Sequence, residues 1–250
     1  MCRHLGYLGP AVPVSSLLGG PRGLLTQTWA PADMRGGGTV NADGFGVGWY
    51  TGAGDPVRYR RAVPMWTDAS FAALSASVSS GAVLAAARSA TVGMPVVETA
   101  CAPFAEGRWL FSHNGVVRGW PGSIADLAAT LPTTDLMTLD APTDSAVLWA
   151  LVRDRLRAGA QPGDALAEVV LAVADRAPDS RLNLLLTDGT ALAATTWSHS
   201  LSAHTTPDHV VLASEPWDDD PRWTPIEDRQ LVLADLGPTP RVRVSALGTR

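Results

Sequence analysis

The chain reads as an α+β protein built on antiparallel sheets, and three observations point there. Short alternating runs bounded by glycine and proline fill the first third. Two helical patterns then follow one another through the middle, and a hairpin signal opens a return to strands. Repeated strand–helix–strand units, which would mark a parallel sheet, do not occur in that order. The 250 residues are 46% apolar and 17% charged, enough to bury a large core. No internal repeat or linker divides them, so one domain over residues 2–250 is expected.

The elements follow in order. Cys2 to Leu8 predicts a strand that stops at Gly9-Pro10. Leu17 to Thr28 is a weak helix, interrupted by Gly19, Gly20 and Pro21. Arg35 to Asn41 is a glycine-rich loop leading into a strand over Gly44 to Tyr50. The small residues of that strand suit close packing against the N-terminal strand. Pro56 to Arg61 is its hairpin partner. Asp68 caps a helix running to Ser79. Val83 to Arg88 and Arg108 to Ser112 are strands, and Ser123 to Leu131 is a short helix. Thr143 to Arg157 is a strong helix, capped at its start, apolar on one face and arginine-rich at its end. Asp164 to Asp175 is a second. Asn183 to Thr187 and Ala191 to Trp197 flank an Asp188-Gly189 turn. Val210 to Ala213 adds a strand, and the tail from Leu231 alternates weakly.

Composition removes several function classes. All 19 basic residues are arginine. Without lysine there is no Schiff base, no Ser–Lys dyad and no P-loop. A net charge of −5 with no basic run argues against nucleic acid as a partner. No apolar stretch approaches the roughly 18 residues of a membrane span, so no membrane partner is expected. Two cysteines, Cys2 and Cys101, cannot build a disulfide framework or a zinc cluster. They suit a reducing, cytoplasmic setting, and MCRHLGYLGP lacks the pattern of a signal peptide. His199, His204 and His209 are five apart, a spacing that gathers them on neither a helix nor a strand, so no metal is expected there.

The candidate chemistry begins at Met1-Cys2. Removal of Met1 would leave a cysteine with a free α-amine. Reference pKa values of about 7.7–8.0 for the amine and about 8.5 for the thiol allow one residue to act as nucleophile and base together. Ser112-His113-Asn114-Gly115 follows an apolar run. The Asn114 amide and the Gly115 N–H, on a turn at a strand end, could steady a tetrahedral oxyanion; by itself the Asn-Gly pair also reads as a type I′ turn. Arg88 emerges from an apolar strand. It could hold a carboxylate with the Thr91 hydroxyl, or pair with an internal acid. Thr143-Asp144-Ser145 opens the strong helix. Thr143 suits the cap, while Asp144 could meet an ammonium group. Of nine tryptophans most are expected in the core, and Trp49, Trp120, Trp217 and Trp223 are candidates to face a cation.

Taken singly these features are ordinary. Together, Met-Cys at the start, N-A-D-G-F-G-V-G-W at 41–49, R-S-A-T at 88–91, H-N-G at 113–115 and T-D-S at 143–145 resemble the class II glutamine amidotransferases, which are N-terminal nucleophile hydrolases. The resemblance implies a four-layer αββα sandwich of two antiparallel sheets between helices. It implies a γ-glutamyl amidohydrolase without cofactor or metal, acting on a small-molecule γ-glutamyl substrate. Cys2 would be the nucleophile, Asn114 and Gly115 the oxyanion hole, and Arg88, Thr91, His113 and Asp144 the glutamyl-binding set. Ser214-Glu215 would lie near the pocket without an assigned role. Departures include Arg3-His4 where the family has glycine after the nucleophile, Val92 where synthase-linked members have histidine, and Ala100-Cys101-Ala102-Pro103-Phe104 in place of N-x-H-P-F. They bear on the leaving group. A glutaminase feeding a separate synthase and a γ-glutamyl peptidase for glutathione-like thiols remain open beside a stand-alone amidohydrolase.

Overall fold

The computed structural model describes residues 2–34, 40–52 and 54–248. Met1 and the 35–39 part of the expected glycine-rich loop lie outside the described residues. The strands are β1 (Arg3–Pro13), β2 (Phe45–Trp49), β3 (Val57–Arg61), β4 (Ser79–Ala87), β5 (Phe104–Glu106), β6 (Trp109–Val116), β7 (Arg181–Thr187), β8 (Ala191–Thr196), β9 (Ser202–Thr205), β10 (Val210–Ala213), β11 (Trp223–Pro225), β12 (Gln230–Asp235) and β13 (Arg241–Ala246). The helices are α1 (Val14–Leu18), α2 (Leu24–Gln27), α3 (Ala69–Ser77), α4 (Ala125–Ala128), α5 (Thr133–Met137), α6 (Asp144–Arg157) and α7 (Pro162–Arg176). No described helix is long and apolar enough to cross a membrane.

The strands form two antiparallel sheets. One runs β11-β9-β10-β1-β4-β2-β3 and the other β13-β12-β8-β7-β6-β5. Period-two alternation divides their side chains between two destinations. On β4, Val83, Ala85 and Ala87 join a core under α1 and α3, while Ala82 and Leu84 point into the space between the sheets. On β7, Leu182, Leu184 and Leu186 pack beneath α6 and α7, while Leu185 faces the other sheet. Helices therefore cover both outer faces and a third apolar layer fills the middle, which is the αββα sandwich that the motifs imply.

Local chemistry accounts for the helix starts. Thr143 caps α6 by accepting a hydrogen bond from the Ala146 N–H at 3.2 Å, and Asp68 caps α3 by accepting from the Phe71 N–H at 2.9 Å. The expected first helix is two short ones, α1 and α2, separated where Gly19, Gly20 and Pro21 interrupt it.

Three sequence readings need correction. β1 does not stop at Gly9-Pro10; a register irregularity between Leu8 and Val12 lets it continue along β4 to Pro13. The glycines of β2 do not pack on β1, because β4 lies between the two strands. They serve the approach of the sheets instead: a Cβ at Gly46 would meet the Ala102 carbonyl, and one at Gly48 the Leu110 side chain. Asn114 and Gly115 are not in a turn. They lie inside β6, opposite Asn183 and Leu182 of β7, so strand pairing overrides the local Asn-Gly preference.

Candidate active site

The first described residue, Cys2, sits at the mouth of β1, where its thiol donates to the Ser89 carbonyl at 3.7 Å. β1 is central in its sheet, and His4 behind Cys2 is tied across to β6: its Nδ1 lies 2.9 Å from Ser112 Oγ. Ser214 adds a second tie. Its hydroxyl accepts from the His4 N–H at 3.0 Å and from Asn114 Nδ2 at 3.2 Å. The strand start next to Cys2, the expected nucleophile, is thus bonded to the strand that carries the expected oxyanion donors. Sequence reasoning placed Ser214 near the pocket without a task; this bridge is its task.

A cavity of about 30 Å³ lies at Cys2, lined also by Arg88, His113, Ser145, Phe45 and Phe104. Arg88 directly follows β4, donates once to the Pro95 carbonyl at 2.9 Å, and has no carboxylate partner among the described residues. Its remaining N–H groups are open to an anion. The loop after it is pinned by Asp43, whose carboxylate accepts from the Ala90 N–H at 2.8 Å. Thr91 is exposed and lines an adjoining cavity of about 400 Å³, with Val117, Arg118, Trp120 and Met94 among its walls. Arg88 and Thr91 therefore border two neighbouring spaces.

His113 has both ring nitrogens engaged. Nε2 lies 2.9 Å from the Arg181 carbonyl, which can only accept, so Nδ1 accepts from the Ser145 hydroxyl at 2.9 Å. Burial lowers the pKa of His113, with Asp144 opposing that fall. The ring meets the cavity as a neutral wall rather than with a free nitrogen. Gly115 is required by closeness: a Cβ there would run into the Arg181 carbonyl and the His113 ring. Asn114 is fully buried; one Nδ2 hydrogen serves Ser214, and its Oδ1 has no partner. The second amide hydrogen is left for the site.

Asp144 opens α6 and accepts from the Val117 N–H at 2.9 Å and the Ser145 N–H at 2.8 Å. A carboxylate has about four acceptor positions, so a bound ammonium can still be met there. Ser145, which orders His113, was missed in the sequence because its T-D-S neighbours looked sufficient as a cap.

Other expectations resolve as follows. Trp49 is buried in the core under α1 and α3, and Trp217 and Trp223 stack edge-on against each other at 5.3 Å. Trp120 is the tryptophan that lines the cavity beside Thr91. His204 and His209 do meet, at 5.3 Å between ring centres, because β9 and β10 pair; spacing along the chain could not show this. Among the described residues no group of three or more His, Cys, Asp or Glu side chains is placed to hold a metal ion. Cys101 is fully buried, and burial pushes its thiol up to about 11.

A cysteine just ahead of a central strand that is tied to a second antiparallel sheet, within an αββα sandwich, fits the class of N-terminal nucleophile amidohydrolases. Residues 25–205 match the family model described as "Glutamine amidotransferases class-II", and the chain belongs to that family. It is 44% identical over 234 residues to the "Gamma-glutamyl-hercynylcysteine sulfoxide hydrolase" of Mycolicibacterium smegmatis, covering 93% of this chain and 95% of that protein. It is 45% identical to the protein of the same name from Mycobacterium tuberculosis strain CDC 1551 / Oshkosh, covering 93% and 92%. Among solved structures, a glutamine aminotransferase class-II domain protein from Silicibacter pomeroyi superposes with a TM-score of 0.68 at 24% identity, over 97% of this chain and 98% of that one. The glutamine phosphoribosylpyrophosphate amidotransferase of B. subtilis superposes with the same score at 14% identity, over 100% of this chain and 50% of that one. At those identities the two structures speak for the fold.

Proposed function

We propose that this chain hydrolyses the γ-glutamyl amide bond of γ-glutamyl-hercynylcysteine sulfoxide, a step of ergothioneine biosynthesis, to glutamate and hercynylcysteine sulfoxide. The observation that carries the reading is Cys2 and Arg88 lining one small cavity, in a chain 44% and 45% identical over nearly its full length to hydrolases of that name. One amidotransferase domain over residues 2–250, with Met1 removed, is part of the proposal.

In this mechanism the α-amine of Cys2 takes the thiol proton, and the sulfur attacks the γ-carbonyl carbon. Asn114 and Gly115 donate to the resulting oxyanion, an interaction worth about 3–4 kcal/mol per donor in comparable sites. The amine then gives its proton to the departing nitrogen as the C–N bond breaks. A γ-glutamyl thioester remains, which water hydrolyses. Arg88, with Thr91 at its flank, holds the glutamyl α-carboxylate, and Asp144 meets its α-ammonium. His113 and Ser145 fix the wall between them. Trp120 offers an aromatic face to the quaternary ammonium of the leaving group, an attraction of about 0.5–2 kcal/mol.

Intact mass and product analysis test this together. The mature protein should lack Met1 and gain one adduct on Cys2 from a glutamine-mimetic electrophile. Glutamate should be released faster from the hercynyl sulfoxide than from glutathione or glutamine. Retained Met1 would end the mechanism, because the amine would be locked in a peptide bond. A preference for glutamine would turn the reading toward a glutaminase.

A further inference from the structure

Arginine is this chain's only strongly basic side chain, and most described arginines have an acid at hand. Arg3 pairs with Glu215, Arg60 with Asp140, Arg108 with Asp188, Arg157 with Asp135, and Arg176 with Asp126. Around Cys2 this pattern fails. Arg88, Arg118 and Arg181 have no carboxylate within ion-pair distance among the described residues. The glutamyl unit, with one α-carboxylate, accounts for Arg88 alone.

The other two stand together. Arg181 opens β7 opposite Val116, one pair along from Gly115 and Leu182, and its carbonyl anchors His113. Its side chain is half-buried, with an Nε that no acceptor reaches. Its guanidinium lies within electrostatic range of Cys2, and burial first and Arg118 second lower its pKa. Arg118 is exposed, its backbone N–H is held by Ser180 Oγ at 3.0 Å, and its side chain lines the cavity shared by Thr91 and Trp120. His199 nearby is buried, bonded through neither ring nitrogen, and brings no negative charge. Two guanidinium groups side by side without a counter-ion repel, and a partly buried one is costly to leave unpaired. An arriving carboxylate relieves both and can be bound bidentately.

We propose that Arg181, assisted by Arg118, binds the α-carboxylate of the amino acid whose nitrogen leaves, so that the site selects γ-glutamyl amino acids over γ-glutamyl amides with an uncharged leaving amine. The connectivity of such a substrate agrees: that carboxylate is attached to the carbon next to the scissile nitrogen, on the side of the attacked carbonyl away from the glutamyl chain that Arg88 would hold. Glutamine, whose leaving group is ammonia, leaves Arg181 and Arg118 unpaired. The inference rests on the γ-glutamyl amidohydrolase reading and adds which leaving groups the site accepts.

The test uses a matched pair, γ-glutamyl-S-methylcysteine sulfoxide and its C-terminal carboxamide, which differ only in that carboxylate. The wild-type enzyme should favour the acid about 10–100-fold in kcat/KM, or about 1.4–2.8 kcal/mol. Arg181→Gln should bring the ratio to within about threefold of unity, and Arg118→Gln should lower it part of the way. A wild-type ratio near one, or a ratio that survives in both variants, overturns the inference while leaving hydrolysis intact. If Arg181→Gln does not fold, the wild-type ratio and the exposed Arg118→Gln still decide. Calorimetric binding of the same pair to Cys2→Ala separates the two levels. Absence of turnover for every γ-glutamyl substrate would sink the amidohydrolase reading. Equal binding of acid and carboxamide would sink the carboxylate site.

Discussion

The arginines over the helical face and those around the cleft are the same side chain in opposite circumstances. Arg157, at the end of α6, donates to Asp135 at 2.8 Å and to Glu106 at 2.6 Å, and Arg153 lies within 3.5 Å of the same two acids. Those bonds hold Arg157 firmly charged, its pKa raised by Glu106 first and Asp135 second. Arg181 is driven the other way, first by burial and then by Arg118. On the helical face the chain supplies the acid; elsewhere Arg58 donates to the Pro103 carbonyl and Arg229 lies over the Trp197 ring. Arg88, Arg118 and Arg181 have no such acid among the described residues, and in the proposed reading the substrate supplies it.

The largest effect should come from the cleft. Arg88→Gln is expected to cut kcat/KM for a γ-glutamyl substrate by about 10²–10³-fold, near 3–4 kcal/mol, with the unfolding midpoint almost unmoved. Loss of fold instead of activity would place Arg88 with the structural arginines and break the contrast. Asp135→Asn should do the reverse. It strips the helical face of one shared acid and should cost about 2 kcal/mol in urea unfolding, at unchanged kcat/KM.

A third prediction concerns the histidines beside the cleft. Burial, then neighbouring positive charge, pushes His4 and His199 down to about 3. Both stay neutral in the folded chain while the unfolded chain protonates near pH 6.5, so between those values the unfolded state binds more protons. Stability should be flat above about pH 6.5 and fall by about 1.4 kcal/mol per pH unit per histidine below it. Urea midpoints at pH 7.5, 6.5 and 5.5 check the slope; a midpoint that rose on acidification would contradict it. The smallest effect belongs to the sheet edge. Arg241 and Asp235 form a half-exposed pair at 2.9 Å, and Arg241→Gln should change stability by less than about 0.5 kcal/mol.

What the sequence disclosed depended on how local the cause was. The α6 helix is written in its own residues, from the Thr143 cap to the terminal arginines, and the Asp188-Gly189 hairpin likewise. The strand over Asn114-Gly115 was hidden, because its cause is a partner about 70 residues away: Leu182 and Asn183 claim the pair for β7. β5 and β11 have three residues each, too few for a period to show. Cys2, Arg88 and Asp144 were visible through their motifs. Arg181 carries the same local sign that singled out Arg88, an arginine at the edge of an apolar strand, yet only the fold brings it beside Cys2. Ser145 and Ser214 stood in or near the motifs, but their tasks were hidden, since each acts through a bond to a residue far along the chain.

The two ties behind Cys2, His4 to Ser112 and Ser214 to Asn114, have a mechanical meaning. In the proposed mechanism the attacking sulfur belongs to one sheet, and the groups that would steady its product belong to the other. Their alignment is therefore a clearance between two plates, set by the leucines packed between them and trimmed by the glycines of β2. Gly46 and Gly48 work as the thin places that let the plates close, and any side chain added there would act as a shim. A lineage carrying this fold can retune its chemistry from deep inside the molecule, by changing the thickness of what lies between the sheets and leaving every reacting residue in place.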